Sequence, residues 1–173
     1  MCLILLVDSV HSELAVALIR EDSARFKVFE TPRQHDRNIN RVVKELLREE
    51  GVGFKDLEAY AVVVGPGSWT GCRVGVAAVK GLAMAVPRPV VAINSLDVLG
   101  SPSAVLSNLD NYYIKRGGKY SCEKLESTDG FATIESVGVE EYRARLVSMA
   151  RSGKRISAKE LQALYLTDFI VKP

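Results

Sequence analysis

The feature that most constrains the fold is a glycine-rich run, GPGSWTGCRVG, at positions 65–75. An all-apolar segment, 61–64, comes directly before it, and a stretch with helical spacing follows. A buried strand, a tight turn and a helix in this order bring backbone N–H groups close to an anion or to another segment of backbone. The run matches neither the GxxxxGK[ST] pattern of a P-loop nor the GxGxxG dinucleotide fingerprint. We therefore interpret it as a tight turn that is rich in glycine for packing, with a phosphate cradle as the alternative.

Hydrophobic patterning predicts an ordered series of strands and helices in the first half of the chain. Apolar runs predict strands at 3–7, 14–19, 26–30, 59–64 and 90–93. The clearest helix is 36–50, where apolar residues recur at i, i+3, i+4, i+7 and i+8, and 71–85 is the second. Ser95 is expected to cap a further short helix. The resulting βββαβαβ order indicates an α/β unit with a mixed sheet.

The second half of the chain gives fewer signals. Gly117-Gly118 separates segments 112–116 and 119–124, which predicts a two-residue β-hairpin. Helical spacing predicts amphipathic helices at 139–150 and 157–166. A terminal strand is predicted at 166–171.

Composition excludes several functional classes. Of the 173 residues 47% are hydrophobic, which allows a sizeable core, and a net charge of +2 does not indicate nucleic-acid binding. Cys2, Cys72 and Cys122 are odd in number and scattered, which argues against a disulfide framework and favours a reducing cytosol. The apolar start is too short for a signal sequence or a membrane span. We therefore expect a cytoplasmic protein that contacts no membrane.

The sequence offers no metal site. It contains no CxxC pair, and its two histidines, His11 and His35, lie far apart on different predicted elements. An isolated histidine near a helix start is more often a surface or capping residue than a ligand. We expect neither a metal nor another cofactor.

The glycine run resembles the GPGSFTGxRxG signature of the TsaB (YeaZ) family. The resemblance covers roughly residues 2–100, and its further matching segments are 3–9, 14–19, Arg33-Gln34-His35, 80–83 and 94–96. Members of this family are bacterial proteins needed to make threonylcarbamoyladenosine in tRNA, and they have the actin/Hsp70-like (ASKHA) fold. The resemblance implies such a lobe over residues 1–100. Because the family usually carries a longer second lobe, residues 101–173 would form a shortened one.

The resemblance implies a non-catalytic subunit that activates a TsaD-like enzyme by dimerising with it. The chain would form a homodimer when alone, would help to present a surface to a TsaE-like ATPase, and would meet tRNA only through the complex. The alternative from a different class is a small actin-like-fold enzyme, either a phosphotransferase or a hydrolase. Nucleotide or metal binding by the isolated chain would separate the two.

The two helices around the glycine run are the expected association surface. Small residues in 71–85 allow close approach by another helix, although tight packing on the chain's own sheet explains part of the pattern. In the family, this helix and the one that starts near R-x-H form an intermolecular helical bundle. The residues expected to bind the partner are His35, Ile39, Val42, Val43, Leu46, Arg73, Val74, Ala77, Ala78, Gly81 and Leu82, and the motif loop comprises Gly65, Pro66, Gly67, Ser68, Trp69, Thr70 and Gly71.

Independent catalysis has little support in the sequence. Related ATP-binding proteins carry Asp-x-Gly in the first hairpin, whereas the turn here, 8–12, reads DSVHS and has no glycine to admit a phosphate. Asp8 is therefore interpreted as capping its own turn rather than as catalytic. Ser68, Thr70 and Cys72 are possible nucleophiles in the run, but they do not form the GxSxG pattern.

Overall fold

The computed structural model describes residues 3–30, 35–107 and 111–164. Arg33, Gln34, Cys2 and the predicted strand 166–171 lie outside these residues. The architecture is α/β, with a six-stranded mixed sheet, a second three-stranded sheet and helices on both faces of the larger sheet. The predicted fold class is confirmed.

The larger sheet contains the strands β1 (Ile4–Asp8), β2 (Leu14–Ile19), β3 (Ala24–Phe29), β4 (Ala59–Gly65), β5 (Val90–Asn94) and β9 (Arg155–Ile156). Their spatial order is β3-β2-β1-β4-β5-β9. β1, β2 and β3 pair antiparallel, β4 and β5 run parallel to β1, and β9 is antiparallel to β5. Every residue of β1 and β4 is buried, as expected for central strands that are covered on both faces.

Two helices cover one face of this sheet. They are α1 (His35–Glu49) and α2 (Trp69–Ala85), which match the predicted helices to within two residues at each end. The apolar stripe of α1 packs on alternate residues of β1, β2 and β4, together with part of α2. Burial of one such side chain contributes about 1.5–3 kcal/mol, so the stripe is a main source of stability on this face.

The opposite face is covered by the second half of the chain. This part contains α3 (Ser95–Leu99), β6 (Ser103–Leu106), β7 (Tyr112–Arg116), β8 (Lys119–Glu123), α4 (Ile134–Val137) and α5 (Val139–Ser152). β6, β7 and β8 form the small antiparallel sheet, and the predicted hairpin at Gly117-Gly118 is confirmed. α5 packs on the large sheet through Tyr142, Leu146 and Ala150.

The chain therefore returns to its first sheet after residue 138, because α5 covers that sheet and β9 extends it. Division into lobes at residue 100 stays a prediction. No helix in the described ranges is long and apolar enough to cross a membrane.

Two local predictions are wrong. Asn94, not Ser95, is the N-cap of α3, since the Asn94 side chain accepts a hydrogen bond from the Leu96 N–H. The buried Ser95 hydroxyl instead donates to the Pro66 carbonyl. The described part of the predicted helix 157–166 contains only a turn.

Tertiary contacts explain why the predicted helix 157–166 does not form. Ser157 and Glu160 make a local turn in which the carboxylate accepts from both the N–H and the hydroxyl of Ser157. Beyond the turn, Leu161 is buried in the core, and the Leu164 N–H donates to the Val64 carbonyl at 2.9 Å. Within the segment the Glu160 N–H donates to the Ser157 carbonyl and closes the turn, whereas the Leu164 backbone bonds to the end of β4.

Candidate functional site

The glycine run packs its backbone directly on the turn between β1 and β2. The Ser68 N–H donates to the Val10 carbonyl at 2.8 Å, and the Ser9 hydroxyl donates to the Gly71 carbonyl at 2.8 Å. A Cβ atom on Gly67 would lie 2.6 Å from the Val10 carbonyl oxygen, and one on Gly71 would overlap the Ser9 carbonyl oxygen. The glycines are therefore required for close backbone approach, which favours the packing interpretation over the phosphate cradle.

The motif begins helix α2 earlier than the sequence predicted. Ser68 is the N-cap, and its hydroxyl accepts from the Gly71 N–H at 3.2 Å. Trp69, Thr70 and Gly71 consequently form the first helical turn instead of a loop. Of the predicted motif loop, only Gly65 to Ser68 precede the helix. Gly65 adopts a φ of 115°, in the region that favours glycine.

The possible nucleophile Cys72 is unsuited to catalysis. Its side chain is buried, and burial, with a smaller effect from the Asp8 carboxylate, raises the pKa of the thiol to about 12. A thiol with this pKa is protonated at neutral pH, and the thiolate is the reactive form. Asp8 itself is buried and accepts a hydrogen bond from the Val10 N–H at 3.1 Å, which is the turn-capping role expected for it.

His11 is brought next to α5, which the sequence could not indicate. Its Nε2 atom lies 2.9 Å from the Tyr142 hydroxyl, and the two rings meet edge to face. Burial, with the Asp8 carboxylate nearby, raises the pKa of Tyr142 well above its usual value. The contact joins the β1–β2 turn to α5, 131 residues later in the chain.

A cleft of about 900 Å³ lies between the start of α2 and the small sheet. His11, Ser68 and Thr70 line one wall, and Leu106, Tyr112 and Thr133 are among the residues on the other. No group of three or more His, Cys, Asp or Glu residues in the described ranges is arranged to hold a metal ion. The cleft offers hydroxyl groups and apolar side chains to a ligand, together with the carboxylates of Asp36 and Glu135 and the imidazole of His11.

Four of the residues expected to bind a partner instead belong to the chain's own core. Ile39, Val42, Val43 and Leu46 are at most 3% exposed, because the stripe of α1 faces the sheet. Their assignment to an interface is corrected on this ground. The outer face of α1 is charged, as illustrated by the Arg41–Glu45 ion pair at 3.2 Å.

Of the remaining predicted interface residues, His35 is the first residue of α1 and its side chain lies outside the described part of the structure, and the other six lie on α2. Arg73, Ala77 and Gly81 are exposed, whereas Val74, Ala78 and Leu82 are half-buried and pack at the edge of the core. Arg73, Ala77 and Gly81 recur at i, i+4 and i+8, so these exposed residues form one row along the outer side of the helix. No partner is present in the structure, and their role stays a prediction.

Sequence reasoning missed the two large apolar side chains of the same surface, Trp69 and Met84. They are 39% and 70% exposed, and they lie at opposite ends of the row. The Arg73 guanidinium lies 4.2 Å from the centre of the Trp69 ring. Extending the i, i+4 spacing backwards from Arg73 would have identified Trp69. We call Trp69, Arg73, Ala77, Gly81 and Met84 the outer face of α2.

Comparison with known proteins gives a consistent result. A sequence model of the family described as tRNA N6-adenosine threonylcarbamoyltransferase (TsaD) matches residues 29–108. The tRNA threonylcarbamoyladenosine biosynthesis protein TsaB of Escherichia coli K12 is 31% identical over 93 residues, which are 54% of this chain and 40% of that protein. TsaB of Bacillus subtilis 168 is 34% identical over 100 residues, 57% of this chain and 43% of that protein. The aligned part of this chain thus spans less than half the length of these relatives.

The fold comparison extends over almost the whole chain. The structure of YeaZ from Pseudomonas aeruginosa superimposes with a TM-score of 0.72 and 23% sequence identity, covering 96% of this chain and 100% of that one. At this identity the likeness concerns the fold. This likeness includes the second half of the chain, beyond residue 108, where the match to the family model ends.

Proposed function

The chain belongs to the TsaB (YeaZ) family, and from this premise we propose that it is a non-catalytic subunit that pairs with a TsaD-like enzyme. In this role it supports the formation of threonylcarbamoyladenosine in tRNA. The observation that carries the proposal is the outer face of α2, where large apolar side chains are exposed beside small ones. The glycine motif, by contrast, is filled by the chain's own backbone.

The composition of the outer face of α2 suits a specific protein interface. Trp69 and Arg73 are of the residue types that dominate binding energy at such interfaces, and their stacking holds both in place before association. Ala77 and Gly81 add little bulk, so a partner helix can approach closely between Trp69 and Met84. The charged outer side of α1 next to it supplies the polar rim that interfaces usually have.

The proposed partner on this face is the TsaD-like catalytic subunit, with a second copy of the chain in its place when the chain is alone. A TsaE-like ATPase and tRNA would join the complex rather than bind the free chain. The buried, protonated Cys72 and the glycine-free turn at Asp8 support a role without catalysis. The cleft of about 900 Å³ keeps the alternative of a small enzyme open to test.

The test compares two variants, each with one new negative charge on a different side of the sheet. Ala77→Glu lies on the outer face of α2, and Ala144→Glu is the matched control, because Ala144 is an exposed alanine on α5 across the sheet. Both variants should fold, as measured by circular dichroism. Sedimentation with the TsaD homologue of the same organism should then show a complex with the control and none with Ala77→Glu. A complex of undiminished affinity with Ala77→Glu would exclude this face.

A further inference from the structure

The tip of the β7–β8 hairpin carries two positive charges directly opposite each other. Arg116 and Lys119 are paired across the strands, and both side chains are exposed. Like charges in directly opposed positions of an antiparallel pair destabilise it. Within the described part of the chain, neither side chain makes an ion pair that would offset the repulsion. The hairpin therefore keeps two like charges in directly opposed positions at its tip.

The surrounding segment concentrates positive charge. Residues 112–124 contain four lysines and arginines and a single carboxylate, whereas the whole chain is nearly balanced, with 23 cations and 21 anions. Lys115 is the exception within the segment, because its ammonium binds the Asp97 carboxylate on α3 at 2.7 Å. The charges at the tip thus remain available, while the one nearest the body of the protein is neutralised.

The hairpin is held rigidly at its inner face and is open at its tip. The Tyr120 hydroxyl donates to the same Asp97 carboxylate at 2.6 Å, which fixes β8 to α3. At the tip, Gly117 and Gly118 have positive φ angles of 57° and 77°, and no other atom lies near either glycine's side-chain position. A ligand can therefore approach the backbone of the turn closely.

Arg116 is also oriented for contact with an anion. Its guanidinium lies 5.0 Å from the centre of the Phe131 ring, so one face of the group is covered by an aromatic side chain. The N–H edges of a stacked guanidinium remain open, and they match a phosphate in a two-pronged hydrogen bond. The exposed Lys119 supplies a second charge beside it.

We propose that Arg116 and Lys119 contact two phosphates of an RNA backbone. A nucleic-acid backbone suits this tip because it offers regularly spaced anions and reaches exposed side chains and turn backbone together. The inference rests on the proposed function in one respect, namely that the RNA is the tRNA on which the complex acts. It adds a direct contact between this subunit and the substrate of that complex.

The test is the salt dependence of binding to an unmodified tRNA transcript. Labelled transcript is titrated with the chain together with its TsaD homologue between 50 and 300 mM KCl. Each phosphate contact contributes about 0.7–0.9 to the slope of log affinity against log salt. Arg116→Gln/Lys119→Gln should lower the slope by about 1.4–1.8 and weaken binding at least about tenfold at 100 mM. The matched control Arg155→Gln/Lys159→Gln removes the same exposed charges from another surface and should leave the slope unchanged.

Several results would overturn the proposal. An equal loss in both double variants would indicate an unspecific charge effect, and an unchanged slope in the tip variant would exclude the contact. If the tip variant binds tRNA normally but loses a protein of the complex, the tip recognises an acidic protein surface instead. The tip variant should still fold, as measured by circular dichroism, because it removes the repulsion between Arg116 and Lys119 together with the stacking of Arg116 on Phe131.

Failure of the RNA contact can be distinguished from failure of the proposed pairing with the TsaD homologue. Complex mass, measured first, tests the pairing with the TsaD homologue. If no complex forms, the same salt titration is made with the chain alone, starting from roughly 20 mM KCl, where weak electrostatic binding is strongest. A slope that does not depend on the tip under those conditions excludes the RNA contact.

Discussion

Replacement of Gly71 by alanine tests whether the glycine motif exists for backbone packing. The new Cβ would overlap the Ser9 carbonyl oxygen, so the start of α2 has to move away from the β1–β2 turn. This movement weakens two hydrogen bonds, Ser68 N–H to Val10 and Ser9 hydroxyl to Gly71, each worth about 1 kcal/mol. Overpacking adds about 1–3 kcal/mol, and the higher helix propensity of alanine returns less than about 1 kcal/mol. We expect a net loss of about 2–4 kcal/mol.

The same helix provides the control. Gly81 is exposed, and a Cβ atom there would meet nothing within 4 Å, so Gly81→Ala should gain about 0.5–1 kcal/mol. For a chain of this size, each kcal/mol shifts the melting temperature by about 2–4 °C. Gly71→Ala should therefore melt about 4–16 °C lower, and Gly81→Ala about 1–4 °C higher. Thermal unfolding should be followed at several protein concentrations, so that association does not contribute. Equal melting temperatures for the two variants would refute the packing argument.

Three further outcomes follow from the site and the small sheet. The isolated chain should neither hydrolyse ATP nor bind zinc in stoichiometric amount, and steady turnover that disappears in Asp8→Ala would contradict this. With a maleimide reagent at about pH 7, Cys122 should react well before Cys72. Cys72 is buried, and burial raises the pKa of its thiol to about 12, whereas Cys122 is partly exposed and burial raises the pKa of its thiol less. Peptide mass mapping would detect the opposite order. Burial, together with the bond to Asp97, raises the pKa of Tyr120 from 10.0 to about 12, so its contribution to stability is complete below pH 10 and is lost as the pH rises towards 12. In denaturant unfolding between pH 10 and 12, the free energy of unfolding should then fall less for Tyr120→Phe than for the unmodified chain. Identical pH profiles for the two proteins would show that Tyr120 is not the responsible group.

The order of elements in the first half could be predicted because each segment keeps one clear hydrophobic period. The apolar positions of 36–50 follow helical spacing, and the runs at 3–7 and 59–64 are apolar throughout, as in strands buried on both faces. Local sequence and tertiary environment agree in these segments. The observed bounds consequently differ from the predicted ones by no more than two residues.

The segment 157–166 shows where such reasoning fails. Its spacing is that of an amphipathic helix, but Leu161 enters the core and Leu164 bonds to the end of β4. A contact between residues about 100 positions apart is not encoded in a local pattern, and here it outweighs the favourable helix propensity of the alanine, leucine, lysine, glutamate and glutamine residues in the segment.

The site could be predicted in position but not in detail. The pattern of α1 identifies an apolar stripe, yet a stripe looks the same whether the chain's own sheet or another protein covers it. The structure assigns Ile39, Val42, Val43 and Leu46 to the sheet. The glycine motif predicts a loop at Trp69, whereas the N-cap at Ser68 makes Trp69 the first residue of α2 and of its outer face.

The return of the chain to its first sheet has a consequence for synthesis on the ribosome. Domains generally fold as units while the chain emerges from its N-terminus. Here the strands up to β5 are made early, but the side chains that cover one of their faces, including Tyr142 and Leu146, are made about 50 residues later. Until then the nascent chain exposes an apolar sheet surface and an unpaired β5 edge, which are the features that chaperones bind and that promote aggregation. A fragment that ends at residue 100 retains both permanently, so it should be recovered as insoluble material.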